Sequence, residues 1–216
     1  MALTINHETN DISATSGSVT LDGSAAGGGG TSLLSTSTVS SSVSQVDITL
    51  AGSHDIYMVQ ISDLTSSLNS SSNGILRLRV SDDNGSTFES TNTQYITAGR
   101  EVYTGDNAGS GAGGSSFFRT TESGFEGSYI PLSYIGSVSP SSSAFEVYNG
   151  FFYIYAANNA SAQFNIVGNM SATGSNIVNH VRFSGMFQEN QAITNIRIYP
   201  ESGTLDAGKI RLFSVG

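Results

Sequence analysis

The chain has 216 residues, with 38% hydrophobic and only 12% charged side chains, 25 glycines and no cysteine. The length suits one large domain, or a domain with an appendage. The absent cysteines exclude disulfides, thiolate metal sites and cysteine nucleophiles, and they fit synthesis in a reducing cytoplasm. A net charge of −9 argues against binding a nucleic-acid backbone. With a single lysine, Lys209, there is no polybasic patch for a membrane, and no apolar run approaches the ~20 residues of a membrane helix. No secretion signal is read at MALTINHETN. Polarity comes from Ser, Thr, Asn and Gly, which favour strands and turns over helices.

In chain order, residues 1–45 form an expected extended arm rich in Gly, Ser and Thr. Leu3-Thr4-Ile5 and Ser18-Val19-Thr20-Leu21 alternate and suit strand pairing, whereas Gly27–Gly30 and the Ser/Thr tract after it read as flexible. From residue 46 to 216 the pattern is strand after strand. Val46–Leu50 alternates. Ile56–Ile61 is continuously apolar, as in a strand covered on both faces. Asp63 to Leu68 reads as one helical turn. Further strands are expected at Ile75–Val80, Glu101–Tyr103, Ser116–Arg119, Ser128–Ile135, Ala144–Ala157, Gln163–Met170 and Ile177–Phe187. Asn73-Gly74, Asn149-Gly150, Thr173-Gly174 and Ser202-Gly203 mark turns between them, and residues 105–116 form a glycine-rich loop. The expected fold is an all-β, antiparallel, jelly-roll-like sandwich with an N-terminal arm.

The chain closes on two echoing tetrapeptides, Ile196-Arg197-Ile198-Tyr199 and Ile210-Arg211-Leu212-Phe213. They read as adjacent antiparallel strands. Ile196, Ile198, Ile210 and Leu212 then face one way; Arg197, Tyr199, Arg211 and Phe213 face the other.

Few residues carry chemistry. His7, His54 and His180 lack metal-ligand spacing, and no G-x-S-x-G elbow supports a nucleophile. The carboxylates are scattered or adjacent in turns, without a converging pair. No catalytic residue, cofactor or metal is therefore expected, and the chain is not read as an enzyme. Arg77, Arg79, Arg182, Arg197 and Arg211 sit inside strands, where arginine serves as an edge guard, meets carboxylates across an interface, or lies on a plain solvent face. The set Leu3, Ile5, Val19, Leu21, Arg182, Arg197 and Arg211 is the expected oligomer or partner interface. In the strand 151–155, alternation puts Phe151, Tyr153 and Tyr155 on one face and Phe152 and Ile154 on the other. One set is expected in the core and the other under a second sheet or subunit. The alternative is a platform for stacking sugars, against which the absence of tryptophan counts. Ser81-Asp82-Asp83-Asn84-Gly85-Ser86-Thr87-Phe88 resembles the Asp-box, S-x-D-x-G-x-T-W, a structural cap on a hairpin.

Three segments resemble virion structural proteins of tailed phages, especially phages of aquatic bacteria: LTINHETNDISATSGSVTLDG, ILRLRVSDDNGSTFES, and the ending FSGMFQENQAITNIRIYPESGTLDAGKIRLFSVG. The resemblance implies a β-sandwich, homo-oligomerisation and a place on a phage particle. The corresponding expectation is a capsid decoration or cement protein, made in the host cytoplasm. It forms an oligomer, a trimer in the simplest case, and binds neighbouring virion proteins, the major capsid protein first among them. The alternative is a tail- or neck-fibre module that recognises host glycans. Neither nucleic acid nor membrane is an expected partner.

Overall fold

The computed structural model describes residues 3–6, 11–14, 20–21, 24–25, 30–67, 75–91, 94–105, 114–119, 127–133, 145–174 and 177–216. All of its regular elements are strands. The chain divides into two units, Met1–Gly30 and Thr31–Gly216. In the first, β1 (Leu3–Asn6) pairs antiparallel with β2 (Asp11–Ala14), and β3 (Thr20–Leu21) with β4 (Ser24–Ala25).

The second unit holds β5 (Thr31–Val39), β6 (Val46–Thr49), β7 (Ile56–Ser66), β8 (Leu76–Ser81), β9 (Tyr95–Gly105), β10 (Gly114–Arg119), β11 (Ile130–Pro131), β12 (Phe145–Tyr155), β13 (Asn165–Gly174), β14 (Ile177–Phe187), β15 (Asn195–Pro200) and β16 (Leu205–Val215). An eight-stranded antiparallel sheet runs β10-β9-β14-β13-β12-β7-β16-β5, and a four-stranded one runs β11-β8-β15-β6. From β5 to β9 the chain changes sheet at every step.

Strict alternation explains how the two sheets share one core. In β8, Leu76, Leu78 and Val80 point inward, while Arg77 and Arg79 point out. Tyr57, Val59, Ile61, Phe152, Ile154, Ile166, Phe183, Ile210 and Leu212 of the large sheet join Ile48, Leu78, Val80, Ile130, Ile196 and Ile198 of the small sheet in one cluster. Two-layer packing of this kind is a β-sandwich. Buried Tyr95 keeps a polar tip satisfied: its hydroxyl donates to Glu89 O at 3.0 Å and accepts from Val80 N at 3.1 Å. Burial pushes its pKa well above the usual tyrosine value.

Several expectations change. The sandwich takes up the chain at Thr31, not at residue 46, because Thr31–Val39 is the edge strand beside β16. Main-chain pairing at an edge needs no apolar run, so a Ser/Thr tract of good strand propensity suffices. The helical turn expected from Asp63 is absent. Asp63 to Ser66 continue β7 through a bulge, with Asp63 at φ 50° and its N–H held by Asn149 Oδ1 at 2.8 Å. The strand Ile56–Ile61 is covered on one face only: Tyr57, Val59 and Ile61 are buried, while Ile56, Met58 and Gln60 are partly exposed. Of the strand expected at Ser128–Ile135, the described part, up to residue 133, holds the two residues of β11, and residues 134–135 lie outside the described residues. The echoing tetrapeptides are not neighbours. Ile196–Tyr199 lies between β8 and β6 in the small sheet, and Ile210–Phe213 between β7 and β5 in the large one. Their facing is as alternation predicts: Ile196, Ile198, Ile210 and Leu212 are buried.

The Asp-box pattern forms a hydrogen-bonded turn after β8. Ser81 Oγ donates to Asp83 Oδ1 at 2.7 Å, Thr87 N to the same oxygen at 2.9 Å, and Thr87 Oγ1 to Oδ2 at 2.6 Å. Gly85, at φ 82°, supplies the left-handed step. These donors, the Thr87 hydroxyl first, lower the Asp83 pKa from 3.8 to about 2. A depressed carboxylate pKa stabilises the fold above its unfolded value, and this contribution is lost as pH falls through the folded value. Asp83→Asn is expected to melt below the parent at neutral pH. The gap should close as pH drops from about 3.8 through about 2. Parallel thermal melts across that range check this; a gap that does not narrow would contradict the assignment.

Candidate binding face

The two outer faces of the sandwich differ in kind. On the small sheet the arginines are engaged within the chain. Arg197 grips Asp47 with two hydrogen bonds, Nε to Oδ1 at 2.7 Å and Nη2 to Oδ2 at 2.8 Å, and stacks over Phe88 at 3.8 Å. Arg77 pairs with Glu201 and covers Tyr129 at 4.0 Å; Arg79 donates to Ser128 O at 2.8 Å and lies 5.2 Å over Tyr199. A bidentate carboxylate and an aromatic plane are the partners that a guanidinium fork fits best.

The outer face of the large sheet is different. Cross-strand register lines up one row as Ala98, Ser184, Val167, Tyr153, Met58, Phe213 and Leu33. The next row reads Arg100, Arg182, Asn169, Phe151, Gln60, Arg211 and Thr36. Neither row contains Asp or Glu. Leu33, Val102, Phe151, Val167 and Val178 are the exposed large hydrophobics among the described residues, and all five point outward from this sheet. A shallow hollow across β9, β14 and β13 is lined by Ile96, Ala98, Asn165, Val167, Ser184 and Met186. Phe151 meets Tyr153 edge to face at 5.9 Å, and Tyr153 lies 6.4 Å from Tyr155. Arg211 Nη1 donates to Gln60 Oε1 at 3.3 Å and to Ser62 Oγ at 3.1 Å. Arg182 is exposed, directly opposite Arg100 across the β14–β9 pair.

The expected interface residues therefore separate. Arg182 and Arg211 share the outer face of the large sheet with Phe151, Tyr153 and Tyr155. Arg197 belongs to the opposite side of the sandwich, tied to Asp47. Leu3 and Ile5 lie in β1, opposite Ala14 and Ile12, and Leu21 lies in β3 opposite Ser24; Val19 and His7 fall outside the described residues. Sequence reading missed Met58, Val167, Phe213 and Leu33 as members of this face. The alternation of β7 and β16 carried the signal for two of them.

Among the described residues, no cluster of three His, Asp or Glu side chains is placed to hold a metal ion. His54 packs edge-on against Tyr57 at 5.5 Å, and His180 is exposed on the large sheet. One carboxylate, Glu101, is fully buried, and Asn179 Nδ2 donates to it at 3.2 Å. Glu101 lies in β9 and Asn179 in the neighbouring β14 of the large sheet.

No protein-family model, curated protein or solved structure matches the chain.

Proposed function

We propose that this chain is a non-catalytic structural protein of a tailed-phage particle, a decoration or cement protein that attaches to neighbouring particle proteins through the outer face of its large sheet. The observation that carries this reading is the composition of that face. Tyr, Phe, Met and Arg are concentrated on it and acidic residues are absent from its central rows, which is how the buried centre of a protein–protein interface differs from ordinary surface. A contiguous exposed apolar patch marks an interaction site. The preferred partner surface is apolar at its centre with carboxylates placed to meet Arg182 and Arg211, the major capsid protein being the first candidate. Repeated by particle symmetry, modest contacts sum to firm attachment. The three segments that resemble phage virion proteins supply the setting. Co-sedimentation tests the reading: the purified chain should pellet with heads of its phage stripped of it, and a chain left in the supernatant at saturating concentration would sink the proposal.

A second reading rests on a specific observation, the outward ladder of Phe151, Tyr153 and Tyr155. Under it the same face stacks host glycans, and binding on a glycan array is lost with Tyr153→Ala.

A further inference from the structure

Among the described residues, the four edges of the two sandwich sheets are not alike. The free edge at β11 is two residues long and includes Pro131. The edge at β6 has four residues, with Asp47 among them. The edge at β10 has six and ends in Arg119. Shortness, proline and charge are the features by which proteins keep an open strand from pairing with another chain. The fourth edge, β5, has none of them. It is nine residues long, TSLLSTSTV, without a charge or a proline. Among the described residues it is bonded on one side only, by β16.

We infer that β5 is a self-association edge, at which a second copy of this chain adds its own β5 antiparallel to make one continuous sixteen-stranded sheet. The register change beside β16 leaves Leu34 as the extra residue, so Ser35–Val39 is the unbroken stretch. Antiparallel pairing of identical segments is isologous. Centred on Ser37, it sets Ser37 against its own copy and Thr36 against the copy's Thr38. Opposed Ser and Thr side chains hydrogen-bond across a strand pair, so the stretch complements itself. Thr36 and Thr38 are exposed and free to make those contacts. A pair of identical strands closes on a twofold axis, so the assembling unit is a dimer in place of the trimer expected from the sequence. The inference does not depend on what the outer face binds.

The test uses the full chain and Thr36→Glu with Thr38→Glu. Within one copy these positions oppose Arg211 and Lys209 of β16, so the glutamates gain cations there. Across the edge, each meets a glutamate of the other copy. Light scattering after gel filtration should give about twice 22.5 kDa for the parent and 22.5 kDa for the double variant, with the melting temperature retained. Thr36→Val with Thr38→Val, similar in shape and uncharged, should stay dimeric. In the dimer, hydrogen exchange at Ser35–Val39 should slow as concentration rises. A monomeric parent at every concentration, a folded double glutamate variant that stays dimeric, or exchange at β5 that ignores concentration would overturn the inference. Should the double variant fail to fold, Thr38→Glu alone, opposite Lys209, is read the same way.

Discussion

Phe152→Ala should destabilise the sandwich by about 3–5 kcal/mol, the usual cost of emptying a buried phenylalanine site. Phe152 is fully buried on the inner face of β12, central in the large sheet, with the Phe183 ring 6.3 Å away. Gly168 on β13 stands opposite it, and a Cβ on Gly168 would lie 2.4 Å from Phe152 Cβ. The fit is therefore made by a large residue against the smallest one, and neither neighbour can swell to fill the void. In a unit of this size the loss corresponds to a melting temperature about 6–20 °C lower. Phe151→Ala, one residue away but on the outer face, should cost a small fraction of that. Thermal melts of the two variants side by side check the alternation directly; equal losses would contradict the inward and outward assignment.

The second large effect falls on attachment. Val167→Asp combined with Arg182→Glu should weaken binding to stripped phage heads by at least about 30-fold. That figure follows from a cost of at least about 2 kcal/mol for leaving a charge unpaired in a closed interface. Both positions are exposed in the free protein, Val167 at 47%, so the fold has little to lose. The measurement is the co-sedimentation midpoint, read beside a circular dichroism melt that confirms folding. Unchanged attachment by the folded variant would remove the outer face from the mechanism.

Most of the fold was legible because alternation is a local signal. Ile196, Ile198, Ile210 and Leu212 announce an inner face by spacing alone. Pairing is not local. Nothing in the two tetrapeptides says that Arg197 will meet Asp47, 150 residues earlier, or that Arg211 will lie beside Gln60. Both arginines look alike in sequence and end on opposite sides of the molecule. The aromatic ladder was readable from β12 alone, whereas Leu33 and Val167 joined it only through sheet order. β5 escaped notice because only Val39 and Leu34 of its side chains reach the core, and backbone bonds to β16 hold the rest. The Asp-box turn was the reverse case, since each residue that makes it lies within eight positions of the others.

The place of β16 between β7 and β5 has a consequence for how the protein is made. Among the described residues, the edge strand from the start of the sandwich docks only onto β16, the last of its strands in chain order. Until β16 has left the ribosome, β5 lacks the strand it pairs with among the described residues and one flank of β7 stays bare. Closure of the large sheet must wait for residues 205–215 to emerge, and such distant pairings are slow to form. A ribosome stalled before residue 205 would hold an open sheet edge rich in apolar side chains, the species on which a chaperone would act.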